Sequence, residues 1–312
     1  MAKRFFYACA GLLCGVLALS ATPDSAIGAP VHVASWNVCS TGGRPFGVAV
    51  DNAGDVYVTN QWAGTLEKFR RDGTLGVRLA QSLNYPCGVA VASDGTIYVV
   101  EHLGNRVSRL SPDGSILGTF GLMLYHPVFV ALDRDGNVYV TDFLNRVVKF
   151  SATGDLLSTW GSLGAGPGQL NDPGGVVVAD DGFVYVADHG NDRIVKFTHD
   201  GEYVASWGSS GAGDGQFSIP HGIASSAGNI YVADNGNARV QVLSSGGSFR
   251  DTWGARGSGD GQFGPDGPTD VAVNRFGEVF VVDRANCRIQ KFADLAIPTV
   301  RRSWASVKAI YR

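Results

Sequence analysis

Residues 173–217 read PGGVVVADDGFVYVADHGNDRIVKFTHDGEYVASWGSSGAGDGQF, and this stretch decides the fold. Gly175 to Val178 is a short apolar run with the length of a buried strand. Asp181-Gly182 supplies a tight hairpin turn, where glycine takes positive φ without steric cost. Val184 to Ala187 is a second strand, Asp188 to Asp192 a loop, and Arg193 to Phe197 a third strand. Asp200-Gly201 turns the chain again, and Tyr203 to Trp207 forms a fourth. A glycine-rich connection from Gly208 to Phe217 then leads to Pro220, where the pattern restarts.

The same pattern opens at Pro45, Pro86, Pro127, Pro173, Pro220 and Pro268, at spacings of 41, 41, 46, 47 and 48 residues. A single twisted four-stranded sheet cannot bury both faces. Six of them around an axis can, and four strands per unit of 40-odd residues is one propeller blade. Small residues in the first strand of each unit, such as Gly47, Ala49, Gly88, Ala90, Gly222 and Ala224, suit the crowded centre of such a ring. The expected fold is therefore all-β, a six-bladed β-propeller of four-stranded antiparallel blades.

The string Ile230-Tyr231-Val232-Ala233-Asp234-Asn235-Gly236-Asn237-Ala238-Arg239-Val240-Gln241-Val242 resembles the NHL repeat. So do the Gly-x-Gly-x-Gly-Gln connections that precede the last three units. The resemblance covers roughly residues 31–292 and implies a six-bladed propeller that often serves as a recognition platform. Blade 1 departs from the pattern, with Asn60 for the loop Asp and Thr65 for the Arg; blade 2 has Glu101 for the Asp. Because Asp-x-x-Asn-x-Arg loops recur (from Asp142, Asp188, Asp234 and Asp283), they read as loop braces, since a catalytic group is needed only once.

Composition agrees with a globular chain: 45% of the 312 residues are hydrophobic, and 43 are glycine without a collagen period. No apolar run reaches the ~18 residues of a membrane span. Residues 1–28 read as an export signal, with Lys3 and Arg4 before an apolar stretch and small residues around a cleavage point after Gly28. Cleavage after Ser20 and an uncleaved signal anchor are the alternatives. Its removal takes the formal charge from −3 to −4 and leaves Cys39, Cys87 and Cys287. A secreted, periplasmic or extracellular location follows from the signal. The acidic balance opposes nucleic-acid binding.

A ring must close. Outer strands end in Ser or Thr plus an aromatic, as in Thr119-Phe120, Thr159-Trp160, Ser206-Trp207 and Thr252-Trp253. Ser35-Trp36 and Ser303-Trp304 both compete for the last place. The approach to Trp304 holds Pro298 and lacks an Asp-Gly turn, so residues 31–36 are expected to supply the outer strand of blade 6. The rival is closure by residues 299–304. Otherwise 293–312 form a C-terminal extension, after a propeller spanning 29–292. N-terminal closure brings Cys39 to the strand that begins near Cys287 and predicts a disulfide between them, with three unpaired thiols as the alternative. Cys87 then stays a free buried thiol.

Functional signal lies where equivalent loops differ. Trp62, His102, Phe143, His189 and Arg284 follow the loop-Asp positions, and His221 follows a blade-opening Pro. Together they form the candidate ligand-binding face around the axial opening, matched to a protein, peptide or glycan ligand of a monomeric, non-catalytic scaffold. No residue is nominated as catalytic and no cofactor is expected. Pro220-His221-Gly222-Ile223 and the segment Asp283 to Gln290 also resemble peptidyl-hydroxyglycine amidating lyases. That resemblance implies a metal-dependent lyase with zinc at His221 and an active-site Arg at Arg284. At the other two matching positions stand Val128 and Gly174, which cannot ligate, and one His does not hold a catalytic zinc.

Overall fold

The computed structural model describes residues 30–39 and 42–293. They form six four-stranded antiparallel sheets. Blade 4 is built from Pro173–Val178, Val184–Asp188, Arg193–Phe197 and Tyr203–Trp207, ordered from the axis outward. The third and fourth strands match the sequence pattern; the first begins earlier, at Pro173, through a bulge between Pro173 and Val176, and the second extends one residue further, to Asp188. The second strand is fully buried in blades 1 to 5, and in blade 6 from Val279 to Asp283, because its two faces are covered by neighbouring blades. Blade 3 has the shortest inner strand, Val130–Leu132.

Blade 6 combines Pro268–Val273, Glu278–Asp283 and Arg288–Ala293 with Val31–Asn37 as its outer strand. The N-terminal strand thus closes the ring, pairing His32 with Phe292 and Trp36 with Ile289. Just past it, Cys39 and Cys287 form a disulfide, with Cα atoms 5.4 Å apart, and the Val38 amide donates to the Cys287 carbonyl at 3.0 Å. The signal segment, the Ser303-Trp304 alternative and most of the C-terminal extension lie outside the described residues. Among the described residues, no helix is long and apolar enough to cross a membrane.

The repeated aromatics of the outer strands have a specific seat. A Cβ on Gly201, in the Asp-Gly turn of blade 4, would lie 2.5 Å from the Trp160 ring of blade 3. The same seat at Gly73 of blade 1 receives Trp36, 2.7 Å from such a Cβ. Blades 2, 3, 4 and 6 thus lay an outer aromatic over the glycine turn of the next, at Gly154, Gly201, Gly247 and Gly73, whereas the Gly114 turn of blade 2 meets the Leu79 backbone. Trp36 behaves as the aromatic of blade 6, an independent sign of which terminus closes the ring.

Near the axis, neighbouring inner strands approach too closely for side chains, and Gly47, Gly88, Gly175 and Gly222 occupy equivalent positions. Phe129 and Asp270 stand there in blades 3 and 6. Phe129, Phe46 and His221 meet ring to ring at 5.2 to 5.5 Å. Phe46 and His221 line one cavity, and Phe129 lines another among the inner strands.

Candidate functional site

The braces come first, because they fix everything above them. Asp188 accepts from the Arg193 Nε at 2.7 Å, from Asn191 Nδ2 at 2.8 Å and from the Asn171 amide at 2.7 Å. Arg193 in turn donates to the carbonyls of Ala165 and Gln169 in the glycine-rich connection. Asp234 with Arg239 and Asp283 with Arg288 repeat the arrangement. In blade 2 Glu101 binds Arg106 twice at 3.0 Å. These charges are satisfied within the loops and stand apart from any ligand.

The residue directly after the brace acid turns toward the axis in blades 2, 3, 4 and 6, while in blade 5 Asn235 donates to the Asp266 and Pro268 carbonyls instead. His102, Phe143, His189 and Arg284 therefore line one cavity of about 190 Å³, with His221, Phe46, Tyr85, Cys87 and Asp172. Trp62 does not join them. It is 66% exposed, with the Arg44 guanidinium 5.3 Å from its ring. Blade 1 contributes Gln61 instead, because Gln61, not Trp62, directly follows the brace position Asn60. Strict register would have selected Gln61. Asp172 was also missed: it directly precedes the blade-opening Pro173, where other blades carry Tyr85, His126 and Ile219.

His221 holds its Nδ1 2.8 Å from the Thr269 carbonyl, so Nδ1 carries the proton and Nε2 is left as an acceptor. Burial first, then His189 nearby, pushes its pKa down to about 4, so it is neutral at physiological pH. His189 places Nδ1 3.0 Å from Asp172 Oδ2, and that hydrogen bond holds the Asp172 carboxyl below its ordinary range. The two imidazoles lie 5.8 Å apart. His102 contacts the Pro127 carbonyl at 3.1 Å, and burial lowers its pKa.

Arg284 is the one guanidinium in this cavity. It donates to Gln61 Oε1 at 2.9 Å and lies 5.5 Å from the Phe46 ring. Its Nε is buried without a protein partner, and none of the ion pairs among the described residues includes it. Burial followed by repulsion from Arg44 lowers its pKa, but guanidinium stays charged. Gln61 also donates to Cys87 Sγ at 3.0 Å. Burial pushes the Cys87 thiol up to about 12, so it is a protonated wall of the cavity and not a nucleophile.

Among the described residues no three His, Cys, Asp or Glu side chains converge to hold a metal, so the donor set of a zinc site is incomplete here. The cavity offers one unpaired cation, a neutral imidazole acceptor, an oriented His–Asp pair and aromatic walls. Such a set receives an anionic or strongly polar end group against apolar surroundings.

The NHL repeat family model matches at three positions, 170–197, 217–243 and 266–292, in blades 4, 5 and 6. No curated protein matches the chain. Among solved structures, virginiamycin B lyase from Staphylococcus aureus is similar at 17% identity and a TM-score of 0.60, covering 83% of this chain and 98% of that one. The gluconolactonase XC5397 from Xanthomonas campestris shares 17% identity at a TM-score of 0.63, covering 84% and 94%. A chain of the nidogen/laminin complex shares 19% at 0.55, covering 67% and 79%. At these identities the likeness speaks to the fold alone.

Proposed function

We propose that this NHL-repeat β-propeller is an exported, monomeric recognition module that captures the anionic end of a ligand in its axial cavity. The observation that carries the reading is Arg284, a cavity-lining cation that makes no ion pair among the described residues and whose Nε is buried without a partner. An unpaired buried charge is costly unless a partner arrives, and a carboxylate is the planar partner that guanidinium fits best. The signal-like N-terminus and the Cys39–Cys287 disulfide support export to an oxidising compartment. At about 190 Å³, the cavity admits an end group and not a whole drug-sized molecule (~300 Å³ and above), which suits a scaffold that reads one end of a larger ligand.

Thermal unfolding with acetate, benzoate and their amides tests this. The carboxylates are expected to raise the melting temperature of the parent while the amides do not, and Arg284→Gln is expected to abolish the difference. Equal shifts for acids and amides in the parent would overturn the reading.

One observation favours a second reading. Asp172 orients His189 as it would orient a general base, beside a neutral imidazole and a cation able to stabilise a developing anion. On that reading the chain is a propeller lyase whose base is His189, without the zinc implied by the amidating-lyase resemblance. Base-initiated elimination from a panel of β-acyloxy carbonyl compounds, read as alkene formation with release of the carboxylate and lost in His189→Gln, would favour it over pure recognition.

A further inference from the structure

The loops of blades 2 and 3 carry an apolar shelf that the other blades lack. Leu122 is 91% exposed, and Leu103, Met123, Tyr125, Phe143 and Leu144 are between 42% and 52% exposed. Three of them lie in the connection Gly121-Leu122-Met123-Leu124-Tyr125-His126, which replaces the glycine-rich connection of later blades. Leu124 turns inward and is 3% exposed, pinning the segment to the core while its neighbours face out. The other exposed apolar residues of the fourth strands recur blade by blade around the rim, as Leu75 and Val77, Ile116 and Leu117, Leu156 and Leu157. The shelf does not recur.

It is continuous with the axial cavity. His102 and Phe143, both cavity walls, contact at 5.2 Å. Phe143 meets His126 at 5.8 Å, and His126 meets Tyr125 at 4.5 Å. One path therefore runs from the unpaired Arg284 across the cavity and out onto apolar side chains.

Part of the shelf's backbone is already engaged. The amides of Leu124, Tyr125, Phe143 and Leu144 donate to Gly121, Asp142, Tyr125 and Asp142. The Met123 carbonyl accepts from Arg146 at 2.7 Å. A peptide laid here would bring two backbone polar groups per residue and find few partners, at a cost for each group left unmet. A hydrocarbon chain brings none.

We infer that the ligand is an amphiphile, with a carboxylate at Arg284 and an unbranched apolar chain running out over the blade 2–3 shelf. This rests on the anion-capture reading above and adds the class of the ligand's body.

The experiment is a protein-detected NMR titration of the full mature chain with straight-chain carboxylates from butanoate to decanoate, below their micellar concentrations. Affinity is expected to rise about two- to four-fold per added CH₂, the upper figure being full burial. Leu122→Ser with Leu144→Ser, both at exposed positions, is expected to flatten that slope while leaving butanoate affinity within two-fold. Arg284→Gln is expected to weaken every acid at least ten-fold and to leave the slope. A flat series in the parent, with butanoate still bound through Arg284, overturns the shelf and spares the cavity reading. Failure of all acids to bind overturns both. Tighter binding of an acetylated Leu-Leu-Phe peptide than of decanoate overturns the acyl assignment in favour of a peptide end.

Discussion

Single residues that break the repeat carry most of the chemistry. Asp270 stands where four other blades have glycine, and its carboxyl accepts the amides of Val48 at 2.9 Å and Val271 at 2.8 Å with no cation beside it. Burial raises its pKa to about 8. The folded protein then keeps a proton that the unfolded chain releases near pH 4, so this stabilising contribution is complete below pH 4 and is lost as pH rises to 8. Asp270→Asn is expected to show a shallower decline of unfolding free energy between pH 5 and 8, by up to about 1.4 kcal/mol per pH unit, in urea titrations. Parallel slopes would contradict the assignment. Cys87, 1% exposed and with a raised pKa, is expected to resist iodoacetamide in the native state at pH 8 and to react fully in guanidinium. How much of the site was legible also belongs to this scale. His102, Phe143, His189, His221 and Arg284 stood out because they differ at equivalent positions, and they do share one cavity. Trp62 is an aromatic two residues past the brace position, and residue type says nothing about which way a side chain turns. Asp172 differs from its equivalents Tyr85, His126 and Ile219 just before the blade-opening Pro, but its pairing with His189 was visible only in three dimensions.

The blade is the element that repeats, and its strands, turns and brace loops were readable because periodic apolar runs and Asp-Gly turns report local structure directly. The contact between blades was not. Gly201 looked like a residue required only by positive φ, which is 94° here, yet it also makes room for Trp160 of the preceding blade. Gly182 has φ of 82° and nothing within 4 Å of an added Cβ. Gly182→Ala is therefore expected to cost about 1 kcal/mol from backbone strain alone. Gly201→Ala adds overpacking against the Trp160 ring and is expected to cost about 2–4 kcal/mol in chemical denaturation. Equal losses would show that the seat contributes nothing.

At the scale of the whole molecule, the first described strand completes the last blade, and one disulfide joins residues 248 apart in sequence. A loop of that length restricts the unfolded chain strongly. Cys39→Ser with Cys287→Ser is expected to lower unfolding free energy by about 3–5 kcal/mol while circular dichroism of the native state stays unchanged. The disulfide was legible only as a consequence of ring closure, since spacing alone fixes no Cα separation. Closure also gathers the non-repeating loop residues onto one face, and the central claim is that this face selects the ligand. Hydrogen exchange with and without decanoate tests it most directly. The account predicts slowed exchange in the loops at 102–105, 121–126, 143–145, 189–191 and 284–286, with the hairpin turns on the opposite face unaffected. Slowing confined to those opposite turns, or spread evenly over all six blades, would contradict it.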